Sequence, residues 1–227
     1  VLDIAVTPDR GYCLSVRGIA REAATALAVD FADPALRSAG PYPDPDAPAP
    51  SVVVTDTEAC SQFTAVRLSE VDPNAASPWW LQRRLLAGGM RSVSLAVDVT
   101  NYVMLELGQP LHAFDAGRIT GPIQVRRAVP GEQLETLDHV RRELDPDDLL
   151  IADDSGPIGL AGTMGGLSTE ISEGTTEVVL EAAHFAPDVV ARSARRYKLP
   201  SEASRRFERG VDPALPWVAS QRAAELL

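Results

Sequence analysis

Between Ser38 and Ser51 the chain reads SAGPYPDPDAPAPS, with five prolines. Each proline fixes its own φ and lacks an N–H, so neither a helix nor a central strand can run through the stretch. It predicts a Pro-rich linker over 38–51 that parts a short leading segment, 1–37, from a long trailing one, 52–227. For 227 residues this divides as one sizeable unit plus an appendage. With 45% hydrophobic and 23% charged residues the composition is that of a globular chain, which excludes wholesale disorder. The net charge of −11 argues against a binder of nucleic acid or membrane that works through bulk positive charge, so any RNA contact must come from a local patch. Cys13 and Cys60 are too few for a disulfide framework or thiolate cluster, and a reducing cytoplasm fits them. Neither a membrane span nor a signal peptide is expected, and without a starting Met the chain reads as a piece of something larger.

In the leading segment Leu2–Thr7 alternates like a strand, and Leu14, Ile19, Ala23 and Leu27 recur at helical spacing. Beyond the linker, VVVT and QFTAVRLSEV are β-rich, and Ser77-Pro78 opens a helix that ends at Gly88-Gly89. Asp98 to Asn101 is expected to cap a helix running to Gly108, and Pro110 then leaves His112 in a loop. Short strands are predicted at Ile123–Arg126, Leu149–Ala152, Ile158–Ala161 and Glu177–Ala182, with helices at Pro187–Lys198 and Pro213–Leu227. Strands and helices do not alternate in βαβ units, so the fold class is α+β, mixed short strands and helices.

No phosphate-binding loop, zinc-protease motif, nucleophile elbow or dinucleotide fingerprint occurs in the sequence. The acidic run from Glu135 to Asp154 misses the calcium-loop pattern and reads as a solvated face; no metal site is expected. Three other segments look built for chemistry: DVTNYVMLELGQPLHAFD at 98–115, LAGTMGG at 160–166 with LEAAHF at 180–185, and LPSEASRRFERGVDP at 199–213. Together with DIAVTPDRGYCLSVRGIARE, ETLDHVRREL and LLIADDSGP, in this order, they closely resemble the β subunit of bacterial phenylalanyl-tRNA synthetase, over its editing module and the segment before it.

The resemblance implies hydrolysis of tyrosine wrongly attached to the tRNA for phenylalanine. It also implies an α-subunit partner in the full enzyme, ATP and Mg²⁺ for the parent ligase, and no cofactor for this portion. The physical need is plain: a mainly apolar synthetic pocket rejects the added hydroxyl of tyrosine only by about 10², so a second site of inverted preference is required. Such a site needs a buried acceptor for the phenolic O–H. Glu181, in Val178-Val179-Leu180-Glu181-Ala182-Ala183, matches the family residue that reads the hydroxyl, although on pattern alone it is either on the wet face of an edge strand or buried for a purpose.

By the same resemblance His112 lies beside the scissile ester and, with Glu181, makes the catalytic pair; without it, a structural hydrogen-bonder is the other reading. Thr100 and Asn101 match pocket residues or cap a helix. Gly162 and Gly165 permit close backbone approach to the amino acid or the ribose, or make a plain turn. Ser201-Glu202-Ala203 stands where other members carry Thr-Asp-Ala, with Ser201 a possible substrate contact and Ala203 small enough to line a ring pocket. Residues 191–210 carry seven basic residues against two acidic ones, and Arg192, Arg195, Arg196 and Lys198 are expected to guide RNA phosphates. The competing view is internal ion pairing by Arg205, Arg206 and Arg209. The rival function is a non-catalytic scaffold for subunit packing and tRNA positioning.

Overall fold

Residues 3–36 and 50–227 are described by the structure, a computed structural model; positions 38–49 of the expected linker lie outside the described residues. Residues 3–7 form no strand. An alternating segment needs a ladder partner for its N–H and C=O groups, and none pairs with it among the described residues. Helix α1 (Val16–Leu27) is capped by Ser15, whose hydroxyl accepts from the N–H of Gly18. It buries Gly18 and Ala24 and exposes Ala23 and Leu27, so the expected apolar face is not the one used. Its anchoring is ionic instead: the Arg17 guanidinium grips both Asp33 oxygens at 2.8 Å and reaches Asp212 at 3.4 Å.

The trailing segment is layered. Strands β1 (Val52–Val54), β4 (Ile123–Arg127), β7 (Leu149–Asp153), β8 (Gly156–Leu160) and β9 (Met164–Gly165) form one sheet in that order. Strands β2 (Cys60–Leu68), β10 (Val178–Phe185) and β3 (Leu111–Asp115) form a second, antiparallel sheet with β10 in the middle. The main core lies between the two sheets, where Ile123, Val125, Leu149, Ile151 and Ile158 meet Phe114, Val179, Ala183 and Phe185. The other face of the three-stranded sheet is covered by helices α2 (Trp79–Ala87), α3 (Leu95–Leu107) and α6 (Leu215–Ala224). Because both faces of β10 are covered, its sequence is a continuous apolar run interrupted only by Glu181 and His184.

The hairpin β5 (Gln133–Glu135) and β6 (Arg141–Glu143) packs with Leu150 and Leu160 behind the larger sheet. Helices α4 (Pro187–Arg196) and α5 (Glu202–Phe207) supply Val189, Val190 and Phe207 to the main core.

Two local expectations change. Helix α3 begins after Ser94, so Asp98, Thr100 and Asn101 are interior to it and cap nothing. The buried Asp98 carboxylate instead takes hydrogen bonds from Ser77, Ser92 and the N–H of Val93, which pins the loop that leads into the helix. Nor is the acidic run uniformly solvated. Asp148 is 0% exposed and receives Ser193 Oγ at 2.7 Å and Arg196 Nη1 at 2.5 Å, with the Tyr197 hydroxyl on its other oxygen. This carboxylate ties the end of α4 to the turn before β7. Asp148→Ala would remove the acceptor of four donors, the N–H of Asp145 among them, and the expected loss is about 3 kcal/mol, read from urea unfolding; a change below about 0.5 kcal/mol would contradict the lock.

Candidate functional site

Glu181 and His112 are directly opposed across β10 and β3, so their side chains leave the sheet on the same face. That face also carries Val179, Ala183 and Phe114, and it looks into the main core. His112 is therefore on a strand, not in the expected loop: the backbone returns to extended geometry immediately after Pro110. At this end the core is incompletely filled. A cavity of about 80 Å³ is lined by Pro110, His112, Phe114 and Glu181 on one side and by Gly159, Gly162 and Gly165 on the other. Ala203 and Phe207 of α5 close it. A water position needs about 10–15 Å³, so the space suits several atoms of one flat group rather than a single solvent molecule.

The glycines make this space. Gly162 sits at φ +65°, and a Cβ there would meet Phe207 and Val190 at 2.9 Å. A Cβ on Gly165 would stand 2.5 Å from Cε1 and 2.7 Å from Nε2 of His112, so the imidazole lies against bare backbone. The ring is held from its other side by an edge contact with Phe114, centroids 4.5 Å apart. In the same turn the N–H groups of Thr163 and Gly166 are already spent on the carbonyls of Leu160 and Ile158.

The electrostatics of the site are set by burial. Glu181 is 7% exposed, with no hydrogen-bond or ion-pair partner for its carboxyl among the described residues. Burial alone pushes the carboxyl up to about 8. Burial likewise pushes the His112 imidazole down to about 4, although part of its surface still touches the cavity. Near neutral pH both side chains are thus uncharged, and the carboxyl can donate as well as accept a hydrogen bond. Burial, followed by the nearby Glu181, pushes the Cys60 thiol up to about 12, so it is no nucleophile at neutral pH.

The remaining expected residues divide in space. Thr100 and Asn101 line an adjoining groove of about 420 Å³ that shares Leu111 and His112 with the cavity. The Thr100 hydroxyl donates to the Val97 carbonyl within the helix. Ser201 does not line the cavity. It caps α5, accepting from the N–H of Ser204 and donating to the carbonyl of Thr163, and so holds Ala203 against the cavity from outside.

Among the basic residues, Arg192 pairs with Asp188 at 3.0 Å, and Arg196 is occupied by Asp148 and Asp145. Arg195 and Lys198 instead line an open groove of about 560 Å³ beside α5, together with Arg205 and Arg209. Arg206 is buried and braces the fold, giving hydrogen bonds to the Leu14 carbonyl and to Glu202. Sequence reasoning passed over Pro110, Phe114, Ile151 and Gly159 as cavity wall. Their signal was faint, because strand residues that face a cavity alternate in the same way as those that face a core.

The burial of Glu181 makes a pH prediction. Its folded value lies above the unfolded 4.5, so the stability it contributes is complete below 4.5 and is lost as pH rises toward 8. His112, lowered from 6.5 to about 4, acts in the opposite sense, its contribution being complete above 6.5 and lost as pH falls toward 4. The two oppose one another below 6.5, and Glu181 acts alone above it. Between pH 6.5 and 8 the wild type should lose about 2 kcal/mol relative to Glu181→Gln in urea unfolding, at about 1.4 kcal/mol per pH unit. Parallel curves for the two proteins would show that the carboxyl is not desolvated.

Known proteins place the chain. A family model described as the B3/4 domain matches residues 59–227. The phenylalanine–tRNA ligase β subunit of Streptomyces avermitilis is 62% identical over 230 residues, and that of Thermobifida fusca 59% over 227 residues. Each match covers all of this chain and 27% of the relative, so the chain spans about a quarter of the length of the curated relatives it matches. A crystal structure of an N-terminal fragment of the phenylalanyl-tRNA synthetase β subunit from Pyrococcus horikoshii aligns with a TM-score of 0.48 at 13% identity, covering 85% of this chain and 60% of that one. With more than half of its residues inside the family model and its full length similar to bacterial phenylalanine–tRNA ligase β subunits, the chain belongs to the B3/4 domain family.

Proposed function

We propose that this chain is the editing portion of a phenylalanine–tRNA ligase β subunit and hydrolyses tyrosine from mischarged tRNA for phenylalanine. The observation that carries the reading is the unpartnered carboxyl of Glu181 aimed into a ring-sized cavity. A buried polar group without a partner is costly, and a phenol supplies the partner it lacks. The phenolic O–H donates to the carboxyl, and in its protonated form Glu181 also donates to the phenolic oxygen. Phenylalanine offers neither bond and leaves the group as it was, so the cavity favours the amino acid that the synthetic pocket admits in error.

With the ring between Glu181 and the glycine turn, the α-carbon and ester point toward the mouth that His112 shares with the adjoining groove. Thr100 and Asn101 then face the terminal nucleoside, and Arg195 and Lys198 stand outside for its phosphates. A water oxygen adds to the ester carbonyl, the bond from that carbon to the ribose oxygen breaks, and the ribose hydroxyl leaves with a proton. A neutral His112 with so low a pKa is a weak base, so its part is to hold water or ester in place, and most of the rate comes from positioning. Activation of phenylalanine with ATP and Mg²⁺ is assigned to the parent ligase, the α subunit is its partner in the full enzyme, and a cytoplasmic location follows from the same reading. Among the described residues no helix is long and apolar enough to cross a membrane.

The test is release of amino acid from tyrosyl- and phenylalanyl-tRNA. The protein should release tyrosine faster by about 10² or more. Glu181→Ala should abolish that preference by slowing the tyrosyl ester alone. Equal rates for the two esters, or an equal loss on both, would refute the role.

A further inference from the structure

Strand β3 starts one residue after a proline, and that proline stands where the ladder with β10 needs a donor. The register runs Glu181 to His112 and Ala182 to Leu111, which continues to Ala183 and Pro110. Pro110 has no N–H to give to the carbonyl opposite it. The preceding residue, Gln109, is fully buried, and its Nε2 donates to the carbonyl of Ala183 and to that of Pro110, both at 2.9 Å. Its Oε1 has no partner among the described residues. Burying a primary amide with half its hydrogen-bonding capacity unused carries a penalty, so the side chain is held there by what its donor half does.

We propose that Gln109 is a positioning residue of the editing cavity: its side-chain amide replaces the N–H that Pro110 lacks, closes the β3–β10 ladder at the cavity end and thereby fixes the offset between His112 and Glu181. His112 lies two residues from Pro110 on one strand, and Glu181 two residues from Ala183 on the other, all on the cavity side. Pro110 gives the cavity a rigid apolar wall without a polar N–H, and Gln109 supplies the missing rung from outside it. The inference rests on the proposed editing reaction for its substrate but not for its geometry. A small misplacement of the two side chains relative to each other costs rate more than binding, because the ester must meet its water in a narrow range of positions.

Gln109→Met removes the donor at similar volume, and Pro110→Ala restores a backbone N–H at the right rung, so the two changes should compensate. In the otherwise wild-type protein Gln109→Met should lower kcat for tyrosine release about tenfold with KM moving less than about threefold, whereas in the Pro110→Ala background the same change should cost less than about threefold. An NMR titration of the His112 ring should show its midpoint shifted by Gln109→Met and returned toward the Pro110→Ala value in the double variant. Equal effects of Gln109→Met in both backgrounds, or none in either, would overturn the proposal. If Gln109→Met alone does not fold, recovery of a cooperative unfolding transition in the double variant supports the replaced rung, and its continued failure to fold refutes it. A wild type that releases no tyrosine, with the titration pattern intact, would sink the editing reading and leave the rung standing.

Discussion

A carboxyl group placed in the middle of a central strand, with sheet on both sides and no cation paired with it among the described residues, is a standing free-energy cost. Glu181 bears that cost at the point where the core between the two sheets opens into a cavity. The walls around it are mostly apolar side chains and bare backbone. Phe114 and Phe207 close the sides, and Gly162 and Gly165 keep the opposite wall to bare backbone. Helices α2, α3 and α6 seal the far face of the sheet. The protein meets the cost by raising the proton affinity of the group, which keeps it neutral and able both to give and to take a hydrogen bond.

In the proposed reaction, selectivity and positioning fall to two different strands. Glu181 on β10 faces the inner end of the cavity, while His112 on β3 stands where cavity and groove meet. Their offset is a property of strand register rather than of any direct contact between them. Contacts outside the cavity wall hold its surroundings: the Ser201 cap sets α5, and the Asp148 lock sets α4.

Much of this was legible in the residues. The β-rich runs VVVT and QFTAVRLSEV, the Ser77-Pro78 entry and the Gly88 stop mark elements whose signals are local, and they form where expected. Glu181 was picked out by the family resemblance, since on pattern alone a carboxylate in that run could equally have faced water from an edge strand. What could not be read was anything set by distant partners. Residues 3–7 belong to a stretch with the pattern of a strand but have no ladder partner among the described residues, and Ala23 and Leu27 of α1 are exposed while Arg17 and Asp33 anchor that helix. Asp98 resembles a cap in sequence, yet its donors are Ser77, ahead of α2, and Ser92 and the N–H of Val93 in the loop before α3, and they draw it inside. Ser201 and Arg196 belong to a substrate-like motif and a basic run, and only the fold shows that one caps a helix and the other answers Asp148.

The central claim is that a phenolic oxygen, and not the ring alone, is what the cavity recognises. A crystal structure of the protein soaked with tyrosine tests it most directly. The account requires the phenol oxygen within hydrogen-bonding distance of the Glu181 carboxyl, with the α-carbon toward His112. Tyrosine bound elsewhere, or bound here with its hydroxyl turned away from Glu181, would contradict it.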